Sequence, residues 1–276
     1  METPLCIWPQ KLAMLHLLNV FLKCNNCINL PSKLVNFKNT CGNTPLHVAL
    51  ENEQFEMAEQ LMEQGASLVI ENKEGNTALH LASSFGKPEL ISNMVVNVKN
   101  SKSMKPSKYV NKKNKSGWSS LHLAVNGKHM EAVQVLIDHG ADIRARNDAG
   151  DDVMLLSAKN GNVDMVRIFS AKGSSIQVMN LGDYTRPLHQ ASGAGHLALV
   201  QHLLSQGASL EFGDIEGNTA LHHAATNGNL EIVEELLSRG ALIDSKNKSD
   251  ETALHLATKE NHLTTVEYLI EKGANI

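Results

Sequence analysis

The sequence predicts an all-α solenoid, a stack of helix-turn-helix units joined by hairpin loops, and three observations carry that prediction. A short motif returns along the chain as Thr44-Pro45-Leu46-His47, Thr77-Ala78-Leu79-His80, Ser119-Ser120-Leu121-His122, Arg186-Pro187-Leu188-His189, Thr219-Ala220-Leu221-His222 and Thr252-Ala253-Leu254-His255. With Leu155 as the fourth occupant, the histidine position recurs at spacings of 33, 42, 33, 34, 33 and 33 residues. An apolar stripe at helical spacing follows the motif, as in Leu230, Val233, Leu236 and Leu237. No unit can bury such a stripe alone, so each is stabilised by its neighbours along the stack.

Each element has a local reason. Threonine is a good N-cap, proline fits the first helical position, and a histidine three residues on can reach back to the cap. Ala49, Ala82, Ala124, Ala191, Ala224 and Ala257 keep the first helix slim enough for close stacking. Gly86, Gly161, Gly195 and Gly228 end it in the left-handed conformation. Glu53, Lys128 and Asn261 take that place in other units, where a side chain carries modest strain. The second helix closes at Gly65, Gly140, Gly173, Gly207, Gly240 and Gly273, and a loop to the next Asn or Asp forms the hairpin.

A 33-residue period carrying T-P-L-H-x-A resembles the ankyrin-repeat family across residues 39–276. The predicted organisation is a capping half-repeat at 1–38 and seven repeats at 39–71, 72–113, 114–146, 147–179, 180–213, 214–246 and 247–276. The second unit carries a lysine-rich insertion at 99–113. The fourth departs most: Asp152, Leu155, Ser157 and Ser170 replace the usual Thr, His, Ala and core aliphatic, which predicts the weakest joint. The fifth has one extra residue around Asp183-Tyr184-Thr185, so its hairpin should be reshaped. The last apolar stripe ends without a polar capping repeat, which suggests that the protein continues past Ile276.

The resemblance implies a protein partner gripped along one concave face by hairpin tips and the exposed ends of first helices. Phe85, Trp118, Tyr184 and Ile215 are large apolar groups at such positions, with Lys115 and Asp151 beside them. Exposed aromatic anchors among polar neighbours have the makeup of an interface hot spot. The competing expectation is that they pack against adjacent hairpins.

Composition narrows the remaining choices. A net charge of −4 does not imply a partner by itself. No apolar run reaches the eighteen or so residues that cross a bilayer. Leu12 to Leu22 is interrupted by His16 and Asn19, flanked by Lys23 and followed by no small-residue cleavage site, so it reads as a helix. All four cysteines, Cys6, Cys24, Cys27 and Cys41, fall in the first 41 residues, which suits a reducing, cytoplasmic compartment and a monomer. Ankyrin arrays also occur in bacterial effectors that act in host cytoplasm.

Lys99, Lys102, Lys105, Lys108, Lys112, Lys113 and Lys115 crowd the long second junction, and no acid occurs between Glu89 and Glu131. With Lys128 this window carries +8, leaving −12 for the rest. A solvated flexible loop is the plain reading. An anion-binding adaptor for anionic lipid or nucleic acid is the alternative, although interleaved aromatics and arginines are missing. A third reading makes the chain the targeting domain of an enzyme continuing past Ile276.

Catalysis finds little support. Of thirteen histidines, six belong to the repeat motif and the others lack ligand spacing on one helical face. Cys24-x-x-Cys27 has zinc spacing, but no second close pair accompanies it. No phosphate loop, nucleophile elbow or carboxylate pair stands out, so neither cofactor nor enzyme activity is expected.

Overall fold

The computed structural model describes residues 35–101 and 104–276. The chain forms two compact units, Met1–Asp142 and Ile143–Ile276. Every regular element among the described residues is an α-helix. The first unit holds α1 (Pro45–Glu51), α2 (Phe55–Glu63), α3 (Ala78–Ser84), α4 (Pro88–Ser101), α5 (Pro106–Val110), α6 (Ser120–Asn126) and α7 (Met130–Asp138). The second holds α8 (Val153–Lys159), α9 (Val163–Ala171), α10 (Pro187–Gly193), α11 (Leu197–Ser205), α12 (Ala220–Thr226), α13 (Leu230–Ser238), α14 (Ala253–Lys259) and α15 (Leu263–Glu271). Apart from α5 these are short antiparallel pairs, a seven-residue helix followed by one of nine or more.

The motif builds the first helix of each pair. At α3 the Thr77 hydroxyl lies 2.8 Å from His80 Nδ1, and the Thr77 backbone N–H donates to the same nitrogen at 3.2 Å. His80 Nε2–H is left to donate to the carbonyls of Lys112 and Trp118, at 3.1 and 3.2 Å. One buried imidazole therefore caps its own helix and ties it to the following hairpin. His47 repeats the arrangement onto the Asn76 carbonyl at 2.9 Å, and in the second unit His189 and His222 reach Phe212 and Glu251 at 2.8 and 3.1 Å. At α8, Asp152 replaces the threonine and accepts from the backbone N–H groups of Met154 and Leu155 at 3.0 and 3.1 Å. Burial pushes its carboxyl above the usual range, and those N–H bonds only partly offset the shift. Leu155 brings no ring to tie onward, but it is buried.

First helices pack on first helices within each unit; among the second helices α4 packs on α7, and α9, α11, α13 and α15 pack in succession. The alanines expected to keep the first helices slim are fully buried, as are Leu61, Leu136, Phe169, Leu203, Leu236 and Leu269 of the second. Each such leucine or phenylalanine contributes about 2 kcal/mol by leaving water. Gly86 turns with φ 62°, and a Cβ there would sit 2.3 Å from the His129 ring, which donates to the Ser84 carbonyl at 2.9 Å. Glu53, Lys128 and Asn261 adopt the same left-handed turn with φ near 60°. In α9 the Ser170 hydroxyl is buried without a hydrogen-bond partner, where the other second helices carry Met62, Ile137, Leu204, Leu237 and Ile270.

The expectation of a flexible loop at 99–113 is corrected for its described residues, 99–101 and 104–113. Helix α4 continues through Lys99 to Ser101, five residues longer than its counterparts, and α5 packs against it. The reason lies between the lysines: Tyr109 and Val110 point inward and are fully buried. Lysine spacing drew attention to charge, while the apolar pair that orders the segment went unread. Residues 1–34 and 102–103, which include Lys102 and the cysteines other than Cys41, lie outside the described residues, as does most of the expected capping half-repeat. Cys41 is half-buried with a free thiol.

Candidate functional site

The hairpins that join the helix pairs are closed by asparagine or aspartate. Asn72 accepts through Oδ1 from the backbone of Glu74 and Asn76, at 3.0 and 2.9 Å, and donates through Nδ2 to Asn43 Oδ1 at 3.0 Å. Asn114 continues this chain to Asn76 in the first unit, and Asn247 links to Asn218 in the second, both at 2.9 Å. Backbone bonds between successive tips, Lys73 to Cys41, Lys115 to Glu74, Ile215 to Asp183 and Lys248 to Glu216, hold adjacent turns side by side. A surface made of these tips is therefore rigid before any partner arrives.

The fifth hairpin differs. Its closing bond spans Asn180 to Thr185, one residue more than Asn72 to Asn76. The left-handed residue of the turn is then Tyr184, φ 60°, where neighbouring hairpins use Gly150 and Gly217. A bulky side chain in that conformation costs about 1–2 kcal/mol, and here it projects the ring outward. Arg186 occupies the N-cap position of α10 without a capping oxygen. Its guanidinium instead lies 4.2 Å over the Phe212 ring and donates to the carbonyls of Tyr184 and Gly213, each at 3.4 Å, and to Met179 Sδ at 3.8 Å. On the same two hairpins Leu181, Tyr184, Phe212 and Ile215 are respectively 61%, 45%, 43% and 38% exposed. These side chains from two adjacent hairpins of one unit make an apolar patch on a rigid edge.

Beneath the patch, the rings of His189 and His223 stack with centroids 5.3 Å apart. His223 Nε2 lies 2.9 Å from Asp214 Oδ2. Burial would raise Asp214, but the His223 and Asn218 bonds outweigh it and hold the carboxyl down to about 2. Asp214 thus stays charged and anchors the sixth turn through the backbone of Glu216 and Asn218. Burial, reinforced by the neighbouring His223, brings His189 down to about 4.

The structure separates the predicted site residues. Phe85 and Trp118, expected to be exposed, are half-buried and packed within the chain. Phe85 meets Phe55 edge-on at 6.2 Å and Trp118 meets His122 at 6.1 Å. Tyr184 and Ile215 are exposed and share the patch. Asp151 is half-buried and accepts from Asn180 Nδ2 at 2.6 Å, so it serves the turn. Lys115 is exposed at the third tip, and Lys99, Lys105, Lys108 and Lys113 are exposed along α4, α5 and the junction. Lys112 is half-buried and ion-paired with Glu71. Phe212, Leu181 and Arg186 were missed. The available signal was the arginine standing where the motif calls for threonine, one residue after the inserted turn. Among the described residues no group of three or more His, Cys, Asp or Glu is placed to hold a metal, and no helix is long and apolar enough to cross a membrane.

A model of ankyrin repeats matches three times, at residues 11–103, 97–180 and 187–276. The chain belongs to the ankyrin-repeat family. It is 29% identical over 178 residues to the nuclear factor NF-kappa-B p105 subunit of Gallus gallus, which covers 64% of the chain and 18% of that protein. It is 30% identical over 193 residues to the B-cell lymphoma 3 protein homolog of Mus musculus, covering 70% and 42%. The chain thus spans less than half the length of these relatives. The crystal structure of the human ASB11 ankyrin repeat domain matches with a TM-score of 0.73 at 22% identity, over 85% of this chain and all of that one, a likeness of fold. Ankyrin repeats are general protein–protein interaction modules, typically without catalytic activity.

Proposed function

We propose that this ankyrin-repeat chain is a non-catalytic protein-binding module whose partner sits on the hairpin edge of the Ile143–Ile276 unit, centred on Tyr184, Phe212 and Ile215. One observation carries the proposal: four large apolar side chains stand exposed on two adjacent turns that hydrogen bonds hold side by side, one of them, Phe212, under the Arg186 guanidinium. Preorganised apolar anchors lose little entropy on binding and are desolvated by it, which is how a few residues come to dominate an interface. The strained backbone of Tyr184 supports the same reading, since such strain gathers at functional sites. Cysteines confined to the first 41 residues support a reducing compartment.

The test begins with affinity purification and mass spectrometry on the full chain, then titrates the recovered protein against Tyr184→Gly and Phe212→Ser. Each should weaken binding by about 2 kcal/mol, roughly 30-fold. Tyr184→Gly should leave stability unchanged or up to about 1 kcal/mol higher, because glycine relieves the left-handed strain at some entropic cost. Unchanged affinity in both variants rejects the proposed centre.

A second reading, binding of anionic lipid by the lysine-rich segment, is favoured by the exposure of Lys99, Lys105, Lys108, Lys113 and Lys115 on ordered backbone. Retention on phosphatidylserine vesicles should then fall steeply with salt. Equal retention on neutral vesicles rules it out.

A further inference from the structure

We infer that the first unit carries a second docking site, a groove between α2 and α4 that receives an extended basic peptide segment of a protein partner. The backbones of α2 and α4 scarcely approach each other, whereas α4 packs closely on α7. Between α2 and the lengthened α4 lies a cavity of about 850 Å³. Its lining is patterned. From α2 come Glu59, Met62 and Glu63, and from α4 come Asn93, Val96, Asn97 and Asn100. Spacings of three, four and seven residues put each set on one helical face.

The chemistry of the two walls selects the occupant. Among the described residues no lysine, arginine or histidine lines the groove, and the exposed carboxylates of Glu59 and Glu63 give it a negative field that a basic side chain would neutralise. Asn93, Asn97 and Asn100 are exposed, and each carboxamide both donates and accepts, as a peptide backbone does. Asn93 to Asn100 spans about 10 Å of helix axis, which matches about three residues of extended chain. Met62 is half-buried and Val96 is 44% exposed, leaving apolar surface for the alternate side chains of such a strand. The last turn of α4, which carries Asn97 and Asn100 of this wall, runs past the nine residues of the other second helices, and α5, with Tyr109 and Val110 fully buried, packs against α4.

The experiment uses the full chain and a fluorescein-labelled seven-residue peptide that alternates lysine and valine, read by anisotropy. The expected result is saturable binding that Glu59→Lys with Glu63→Lys weakens at least 10-fold and Asn93→Ala with Asn97→Ala weakens several-fold. Tyr184→Gly should leave it unchanged, and circular dichroism should show every variant folded. A lysine–serine peptide should bind less well, and a glutamate–valine peptide should not bind. Absence of saturable binding, or equal affinity in wild type and charge-reversed chain, overturns the inference. Self-association in sedimentation that the charge reversal abolishes would assign the groove to a second copy and overturn it too. So would a carbodiimide cross-link from Glu59 or Glu63 to Lys11, Lys23 or Lys33, which would assign the groove to the chain's own first residues.

Discussion

Acidification from pH 7 to pH 5 should cost this protein several kcal/mol of stability through its motif histidines, and the size of the loss follows from their geometry. His80 is fully buried, and its Nδ1 lone pair faces the Thr77 N–H and hydroxyl. Protonation there would set a proton against two donors in a fully buried site. Burial is the main cause that brings His80 down to about 4, and His189 falls to about 4 for the same first reason. Because the folded-state values lie below the ordinary 6.5, the unfolded chain takes up the protons. The stabilisation is therefore complete above pH 6.5 and fades as pH falls toward 4. At pH 5 the linkage relation gives a loss of about 2 kcal/mol per histidine, about 4 kcal/mol for the pair. His47 and His222, also lowered chiefly by burial, add in the same direction. Asp152 opposes them, since its raised carboxyl favours the folded state on acidification. Asp214, held at about 2, loses its contribution only below about pH 4. Urea unfolding followed by circular dichroism at pH 7 and pH 5, at constant ionic strength, measures the difference. Equal unfolding free energies within about 1 kcal/mol would refute the reasoning, as would an NMR titration placing His80 or His189 near 6.5.

Two further predictions concern packing. Tyr109→Ala should destabilise the protein by about 3–5 kcal/mol by emptying the site that orders α5. Tyr109→Phe should be within about 1 kcal/mol of wild type, because the hydroxyl makes no hydrogen bond of good geometry; thermal denaturation of both variants checks the pair, and a large loss in the phenylalanine variant would show that the hydroxyl matters. Ser170→Leu should stabilise by about 1 kcal/mol, since it removes an unpartnered buried hydroxyl and adds apolar area at a place filled by Leu204 and Leu237 elsewhere. A lower urea midpoint would show that the serine position has no room.

The fold was legible because ankyrin repeats write each contact into a fixed phase. His47, Ala49 and Leu61 each perform the same task as their equivalents 33 residues on, so the repetition itself identified caps, slim helices and stripe. Irregular places were legible only as places. The extra residue at Asp183-Tyr184-Thr185 announced a reshaped turn, yet the value of the turn depends on Arg186 reaching Phe212, a contact 26 residues away in sequence. Phe85 and Trp118, for which exposure and packing against neighbours were competing expectations, are half-buried. Their phase put them on an exposed edge, but Phe55 and His122 supply rings that draw them in. The second junction was misjudged as a loop because seven lysines outweighed Tyr109 and Val110 in the reading. Two side chains at the right register suffice to order a charged segment, since charged stems tolerate the surface of a helix and apolar rings do not.

The hairpin-edge proposal is tested most directly by site-specific photo-cross-linking in the full chain. Benzoylphenylalanine would be placed singly at Leu181, Tyr184, Phe212 and Ile215, and as controls at exposed Arg167 and Gln201 on the second helices of the same unit. A common protein adduct from the four patch positions, absent from both controls, is the predicted result. Adducts of equal yield at the controls, or none at the patch while the controls capture the partner, would contradict the proposal.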